Sequence, residues 1–108
     1  MLKAAKPAVQ ANLTLVIAQV YANLGDLYYH RGEVREGMAH AGQAIEIAQR
    51  IQANEAIIVA HAVLATLLWR EYRYDEALGH LEGIRERAAG GMFEPTVRRW
   101  SAQVALSK

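Results

Sequence analysis

The chain has 108 residues, a formal net charge of +1 and a hydrophobic content of 53%. This length fits one small domain over residues 1–108, and the mixed, nearly balanced charges give no field that would attract nucleic acid or an anionic membrane. Because there is no cysteine, disulfides, thiolate metal ligands and cysteine nucleophiles are excluded. The same composition suits a reducing compartment, so we expect a cytoplasmic protein.

The first predicted element is one long amphipathic helix. Pro7 suits the first turn of a helix, where its missing N–H is not needed, and Gly32 follows the expected end at His30. Polar residues such as Gln10 and Asn12 interrupt this segment, so we expect neither a signal peptide nor a membrane span. The apolar residues that recur at spacings of three and four are Leu13, Val16, Ile17, Val20, Leu24, Leu27 and Tyr28.

Two further helices follow after short turns, which predict antiparallel packing. The second begins at Glu33 and ends near Gln52. The third spans roughly 55–71 and is apolar on more than one side, as expected of a helix packed between neighbours.

The last two predicted helices complete an all-α chain. A fourth helix opens at Tyr74 with acidic residues in its first turn and ends at Ala89-Gly90-Gly91. A fifth starts at Glu94-Pro95 and places Val97, Trp100 and Val104 on one face.

The chain also repeats itself with a period of 40 residues. Glu36 and His40 of one copy correspond to Glu76 and His80 of the next. Such a period predicts helix pairs that stack into an array, because one pair cannot bury its apolar face alone. We expect unit 1 at about 13–52, unit 2 at about 55–91, and a partial unit or capping helix at about 94–107.

The first unit resembles a tetratricopeptide repeat, whose pattern opens W-x2-L-G-x2-Y. The residues that carry the resemblance are Tyr21, Leu24, Gly25 and Tyr28, followed by Gly32, Met38, Ala44 and Ile45. The second unit follows the pattern more loosely, with Ala65 in place of the glycine. The resemblance implies an antiparallel helix-pair array, a tetratricopeptide-like α-solenoid, in which Gly25 and Ala44 allow close helix approach.

The unit of 40 residues is longer than the standard of about 34. Expanded units of this kind resemble those in large bacterial regulators, such as LuxR-type signal-transduction ATPases. The resemblance implies a sensor or assembly segment of a larger protein involved in signalling and transcription regulation.

In such arrays the first helix of each pair lines a concave surface, which implies a groove for a protein or peptide partner. Polar and aromatic side chains suit such recognition. The candidate groove residues are Gln19, Asn23, Asp26, His30, Val59, Thr66, Trp69 and Arg70.

The remaining motifs indicate no catalysis and no cofactor. No serine stands in a Gly-x-Ser-x-Gly elbow, and Gly90-Gly91 lacks the Lys-Ser/Thr of a phosphate loop. We interpret Glu36/His40 and Glu76/His80 as exposed i, i+4 pairs, and His61 as a packed neutral imidazole. A metal- or ligand-binding bundle that uses the four histidines is the less favoured alternative.

Self-association is a second hypothesis for function. Leu13, Val16 and Ile17 at one end, and Trp100 and Val104 at the other, would form a homo-oligomer if the ends of the array lack polar caps.

Overall fold

The computed structural model describes residues 2–89, 91 and 94–107. In this part of the chain there are five helices and no strand: α1 (Leu2–His30), α2 (Val34–Arg50), α3 (Asn54–Arg70), α4 (Tyr74–Ala88) and α5 (Glu94–Ser107). Each helix packs against the next one in sequence, and α1 also packs against α3. The predicted all-α array of antiparallel helix pairs is therefore confirmed. None of the described helices is long and apolar enough to cross a membrane.

The helix boundaries agree with the predicted ones except at the start of α1. This helix begins at Leu2, so Pro7 lies beyond the first turn rather than within it. Pro7 has no N–H, so one backbone hydrogen bond of α1 is missing at that position. At the end of α4, the predicted stop at Gly90 lies outside the described residues.

The three turns between α1 and α4 share one hydrogen-bonding pattern. After α1, the Glu33 N–H donates to the Tyr28 carbonyl at 2.9 Å, and the Gly32 N–H donates to the Tyr29 carbonyl at 3.0 Å. This is a Schellman closure, which requires a residue with positive φ just past the helix end. Gly32 has φ +78° there, but the next two turns place Gln52 and Tyr72 in the same conformation, at φ +55° and +63°.

The core has two regions, which α3 connects. In the first, α1, α2 and α3 meet through small side chains, among them Ala22, Ala44 and Ala60. In the second, α3, α4 and α5 meet through larger ones, including Leu81 and Val104. The expectation that α3 packs between neighbours is confirmed, because buried residues of α3 belong to both regions.

The two residues of α5 on which self-association through both ends would depend are not exposed. Val104 is 0% exposed, and Trp100 is half-buried against the second core region. The expectation for this end is wrong because α5 turns these two residues inward and covers α4. At the other end, Leu13, Val16 and Ile17 are exposed as expected.

Candidate functional site

A cavity of about 320 Å³ opens between α1 and α3, the first helices of the two units. We call the surface along these two helices the groove. Alanines form much of the lining because α1 and α3 approach each other closely, and polar side chains stand around them. The lining residues are Ala18, Gln19, Ala22, Asn23, Glu55, Ala56 and Val59. Three of the predicted groove residues, Gln19, Asn23 and Val59, are thus brought together.

The polar side chains of α1 continue along the helix beyond this cavity. Gln19, Asn23, Asp26 and His30 are all exposed, and their spacing of three and four places them on one helical face. The Asp26 carboxylate lies 3.6 Å from Nε2 of His30. These two residues extend the polar edge of the groove, although neither lines the cavity.

On the opposite side of the groove, Thr66 takes no direct part in the cavity. Its hydroxyl donates to the Ala62 carbonyl of the same helix at 2.9 Å. A threonine bonded in this way is satisfied within its own helix. Thr66 therefore offers mainly van der Waals contact, and not a free hydroxyl proton, on the α3 side of the groove.

A second, smaller cavity of about 210 Å³ lies at the far end of α3. Its lining consists of Tyr29, Trp69, Arg70, Tyr72 and Tyr74. It contains two predicted groove residues, Trp69 and Arg70, together with three tyrosines that are not among the predicted groove residues. Tyr72 lies in the turn that follows α3, and Tyr74 comes directly after this turn. Helical spacing along α3 therefore does not indicate where these two side chains lie.

Arg70 is held in place by Tyr29. Its guanidinium carbon lies 5.0 Å from the centre of the Tyr29 ring, and Nη1 donates to the Tyr29 carbonyl at 3.3 Å. A guanidinium has five N–H donors, so this contact uses only part of its capacity. Trp69 is half-buried, with its ring centre 5.8 Å from that of Trp100. Trp69 therefore packs against α5 and lines the aromatic cavity at the same time.

The histidines of α2 and α4 pack against the first helix of their own unit instead of forming exposed pairs with Glu36 and Glu76. The part-buried His40 ring stacks on Tyr28, with the centres 5.2 Å apart, and on Tyr21 at 5.8 Å. Since 21 and 40 correspond to 61 and 80, the same contact recurs in the second unit between two imidazoles.

His61 and His80 face each other with their Nδ1 atoms 3.0 Å apart. Burial lowers the pKa of His61, and the nearby His80 and Arg87 lower it further. Burial also lowers the pKa of His80, partly offset by the Glu76 carboxylate. Both shifts favour neutral rings, with one Nδ1 donating and the other accepting. This agrees with the packed neutral His61 that the sequence indicated.

Among the described residues, no group of three or more histidines and carboxylates is placed to hold a metal ion. The His61/His80 pair supplies two imidazoles, whereas a protein zinc site uses three or four ligands.

Comparison with known proteins agrees with the geometry of the first unit. No curated protein and no solved structure shows significant similarity to the chain. Residues 17–51 match the family model described as tetratricopeptide repeat. Tetratricopeptide repeats generally mediate protein–protein interactions, and they are typically non-catalytic. The matched segment covers the C-terminal half of α1 and all of α2, so the first helix pair has the character of a tetratricopeptide-type repeat.

Proposed function

We propose that this chain is a non-catalytic interaction domain that binds a peptide or helix of a partner protein along the groove between α1 and α3. The observation that carries the proposal is the cavity between these helices, where an alanine-rich lining adjoins the amide side chains of Gln19 and Asn23. Ala22 and Ala56 leave room for a partner backbone, and each amide can both donate and accept hydrogen bonds. Val59 supplies an apolar contact beside them.

The aromatic cavity at the other end of α3 supports an anchoring role. Tyr72 and Tyr74 can enclose an apolar side chain of the partner, as aromatic residues commonly do at binding interfaces. Arg70, already oriented by Tyr29, retains donors for a carboxylate. We therefore propose a partner segment that carries an apolar anchor next to an acidic group.

We further propose that the domain serves as the sensor or assembly segment of a larger cytoplasmic regulator in a bacterium. The expanded unit of 40 residues supports this context, since it resembles the units of large bacterial regulators. The coding sequence on either side tests it: a neighbouring ATPase or DNA-binding segment would support the regulator, and an unrelated enzyme would contradict it.

Site-specific photo-crosslinking tests the groove. A benzoyl-phenylalanine at Asn23, inside the groove, should capture the partner protein in cells. The same probe at Gln43, an exposed residue of α2 that lines neither groove cavity, is the matched control. Equal capture from both positions would contradict the groove as the binding surface.

Two variants that each introduce an arginine then measure how much the groove contributes to partner binding. Asn23→Arg should weaken binding of the captured partner at least tenfold, about 1.4 kcal/mol, because a long side chain fills the cavity. Gln43→Arg adds the same side chain elsewhere and should leave the affinity unchanged. Undiminished binding by Asn23→Arg would place the site elsewhere.

A further inference from the structure

The side of α1 that points away from α2 and α3 carries a row of exposed apolar side chains, which we call the outer face. Leu13 is 60% exposed, Val20 49% and Leu27 50%. The inner side of the same helix, at Ala18 and Ala22, is buried. Isolated exposed apolar residues are ordinary, but a continuous row marks an interaction surface.

The repeat shows that this face is an interface when a neighbour is present. One period later, the corresponding side of α3 packs against the first unit and is buried in the first core region. The residues of α3 that correspond to Val16, Ile17, Val20 and Leu27 are Ala56, Ile57, Ala60 and Leu67. The outer face thus has the position of an internal interface, but no neighbour covers it among the described residues.

The side chains of the outer face are too large for the same kind of neighbour. Ala56 and Ala60 let α3 come close to the first unit, whereas the corresponding residues of α1 are Val16 and Val20. Close packing of that type would be obstructed by the extra volume. The face has another regularity, because a row of apolar residues follows the 4-3-4-3 spacing of a two-helix coiled-coil seam. The row consists of Leu13, Ile17, Val20, Leu24 and Leu27.

Charge and symmetry make a second copy of this chain a suitable occupant. No residue from 7 to 25 is charged, so two outer faces can meet there without like-charge repulsion. Leu13 and Leu27 are symmetric about Val20, as are Val16 and Leu24. In an antiparallel pair, Leu13 lies opposite Leu27 and Val20 opposite its own copy, and the two helix dipoles oppose each other favourably. Because α2 and α3 contact the inner side of α1, where Ala18 and Ala22 are buried, they do not obstruct the outer face.

We propose that two copies of this chain associate through the outer faces of α1, antiparallel and related by a two-fold axis. The interface is isologous, and therefore closes at a dimer. This surface is distinct from the cavity between α1 and α3, so self-association and partner binding use different sides of the first helix.

Light scattering over a dilution series tests the dimer. We expect the apparent mass to rise from the monomer value of 12.0 kDa to twice that value as concentration increases. Val20→Glu places a charge at the centre of the seam on an exposed residue, and should give only monomer. Its unfolding temperature should equal that of the wild type at dilutions where the wild type is monomeric. Gln19→Glu introduces the same charge one residue away and should still dimerise.

Two results would overturn the proposal. One is a wild-type chain that stays monomeric up to about 1 mM, where even an association of about 4 kcal/mol would be half complete. The other is a Val20→Glu variant that retains the doubled mass.

Single cysteines establish the orientation, since the chain has none of its own. Val20→Cys should form an intermolecular disulfide readily, because the two copies of residue 20 face each other on the axis. Leu27→Cys should not, because in the antiparallel pair it faces Leu13. Crosslinking of Leu27→Cys as efficient as that of Val20→Cys would contradict the antiparallel arrangement.

Discussion

At the scale of single residues, the His61/His80 contact makes part of the stability depend on pH. The two neutral rings share one proton across 3.0 Å, and protonation of both would remove the acceptor and bring two positive charges together. The contact links α3 to α4 beside the second core region. The corresponding residues of the first unit are Tyr21 and His40, so the first unit has only one imidazole at this contact.

We expect the free energy of unfolding to decrease as the pH falls below about 6.5, the ordinary pKa of histidine in an unfolded chain. Because burial lowers the pKa of both rings in the folded state, the unfolded chain binds protons first. The contribution is therefore complete above pH 6.5 and is lost as the pH falls toward the lowered values. Urea unfolding at pH 7.5 and 5.5 measures this change.

His61→Tyr is the informative variant, because it recreates the Tyr–His pairing of the first unit. Its urea midpoint should change less between the two pH values than that of the wild type. His30→Gln alters an exposed histidine and should keep the wild-type dependence. If His61→Tyr also kept the wild-type pH dependence of the urea midpoint, the His61/His80 contact would not be the source of that dependence.

The positive φ of Tyr72 leads to a prediction about backbone strain. We expect Tyr72→Gly to raise the free energy of unfolding by roughly 0.5–1 kcal/mol, because relief of a left-handed conformation outweighs the greater entropy that glycine loses. The Tyr72 side chain is 79% exposed, so little packing is lost. Thermal or chemical denaturation measures the gain.

Gly32 provides the reciprocal control one period earlier. A Cβ there would have only Nη2 of Arg70 nearby, at 3.8 Å, so Gly32→Ala tests conformation rather than crowding. We expect it to lower the free energy of unfolding by about 1 kcal/mol. If neither Gly32→Ala nor Tyr72→Gly changed the free energy of unfolding measurably, the turns would have to relax into another conformation, and the prediction of backbone strain would be wrong.

The polar half of the candidate site was predictable, whereas its aromatic end was only partly so. Gln19 and Asn23 follow from helical spacing, which fixes the face on which a side chain lies. Tyr72 and Tyr74 depend on the path of a turn whose left-handed residue is not glycine. The stacking of His40 on Tyr21 was also missed, because it depends on how far α2 is shifted along α1, and periodicity within one helix does not determine that shift.

At the scale of helices, the crossing of α1 and α2 depends on two glycines. A Cβ added to Gly25 would lie 3.2 Å from the Gly37 carbonyl oxygen, and one added to Gly37 would lie 3.1 Å from that of Gly25. The sequence pattern identified Gly25 as a close-contact position. Gly37 was not identified, because its partner on α3, Leu67, is distant in sequence.

We expect Gly37→Ala to lower the free energy of unfolding by about 1–3 kcal/mol, the usual cost of overpacking. Its Cβ would lie 2.8 Å from Cδ2 of the buried Leu67 and 3.1 Å from the Gly25 carbonyl oxygen, so the Leu67 side chain or the helices themselves would have to shift. Gly42→Ala, on the same helix, meets nothing within 4 Å and should be stabilising by roughly 0.5–1 kcal/mol. Denaturant titration of the two variants distinguishes them, and destabilisation of equal size would contradict the crossing described here.

At the scale of the whole molecule, α5 packs against α4 and completes the second core region. Val104→Ser should lower the free energy of unfolding by about 2–3 kcal/mol, because it creates a cavity and buries a hydroxyl in the second core region. Leu106→Ser makes a comparable change on the solvent side of the same helix and should stay within about 0.5 kcal/mol of the wild type. Calorimetry provides the comparison, and similar losses would show that α5 is not docked as described.

Most of the fold was predictable because the repeat constrains it at every level. The 40-residue period, the short turns and the apolar spacing together determine the number, order and antiparallel packing of the helices. The role of α5 was left open between partial unit and cap, since the exposed or buried state of Trp100 and Val104 depends on how α5 docks against α4. That angle follows from the combined shape of two helices, which local sequence does not encode.

The position of α3 between the two core regions has a consequence for amide hydrogen exchange. An opening that detaches α5, or α4 with α5, leaves the contacts of α3 with α1 and α2 in place, and an opening at α1 leaves those with α4. Amides in the middle of α3 therefore exchange only when both sides are lost, which is the global event. Their exchange rate reports the stability of the entire chain, while amides near the ends of α1 and α5 report only local fraying.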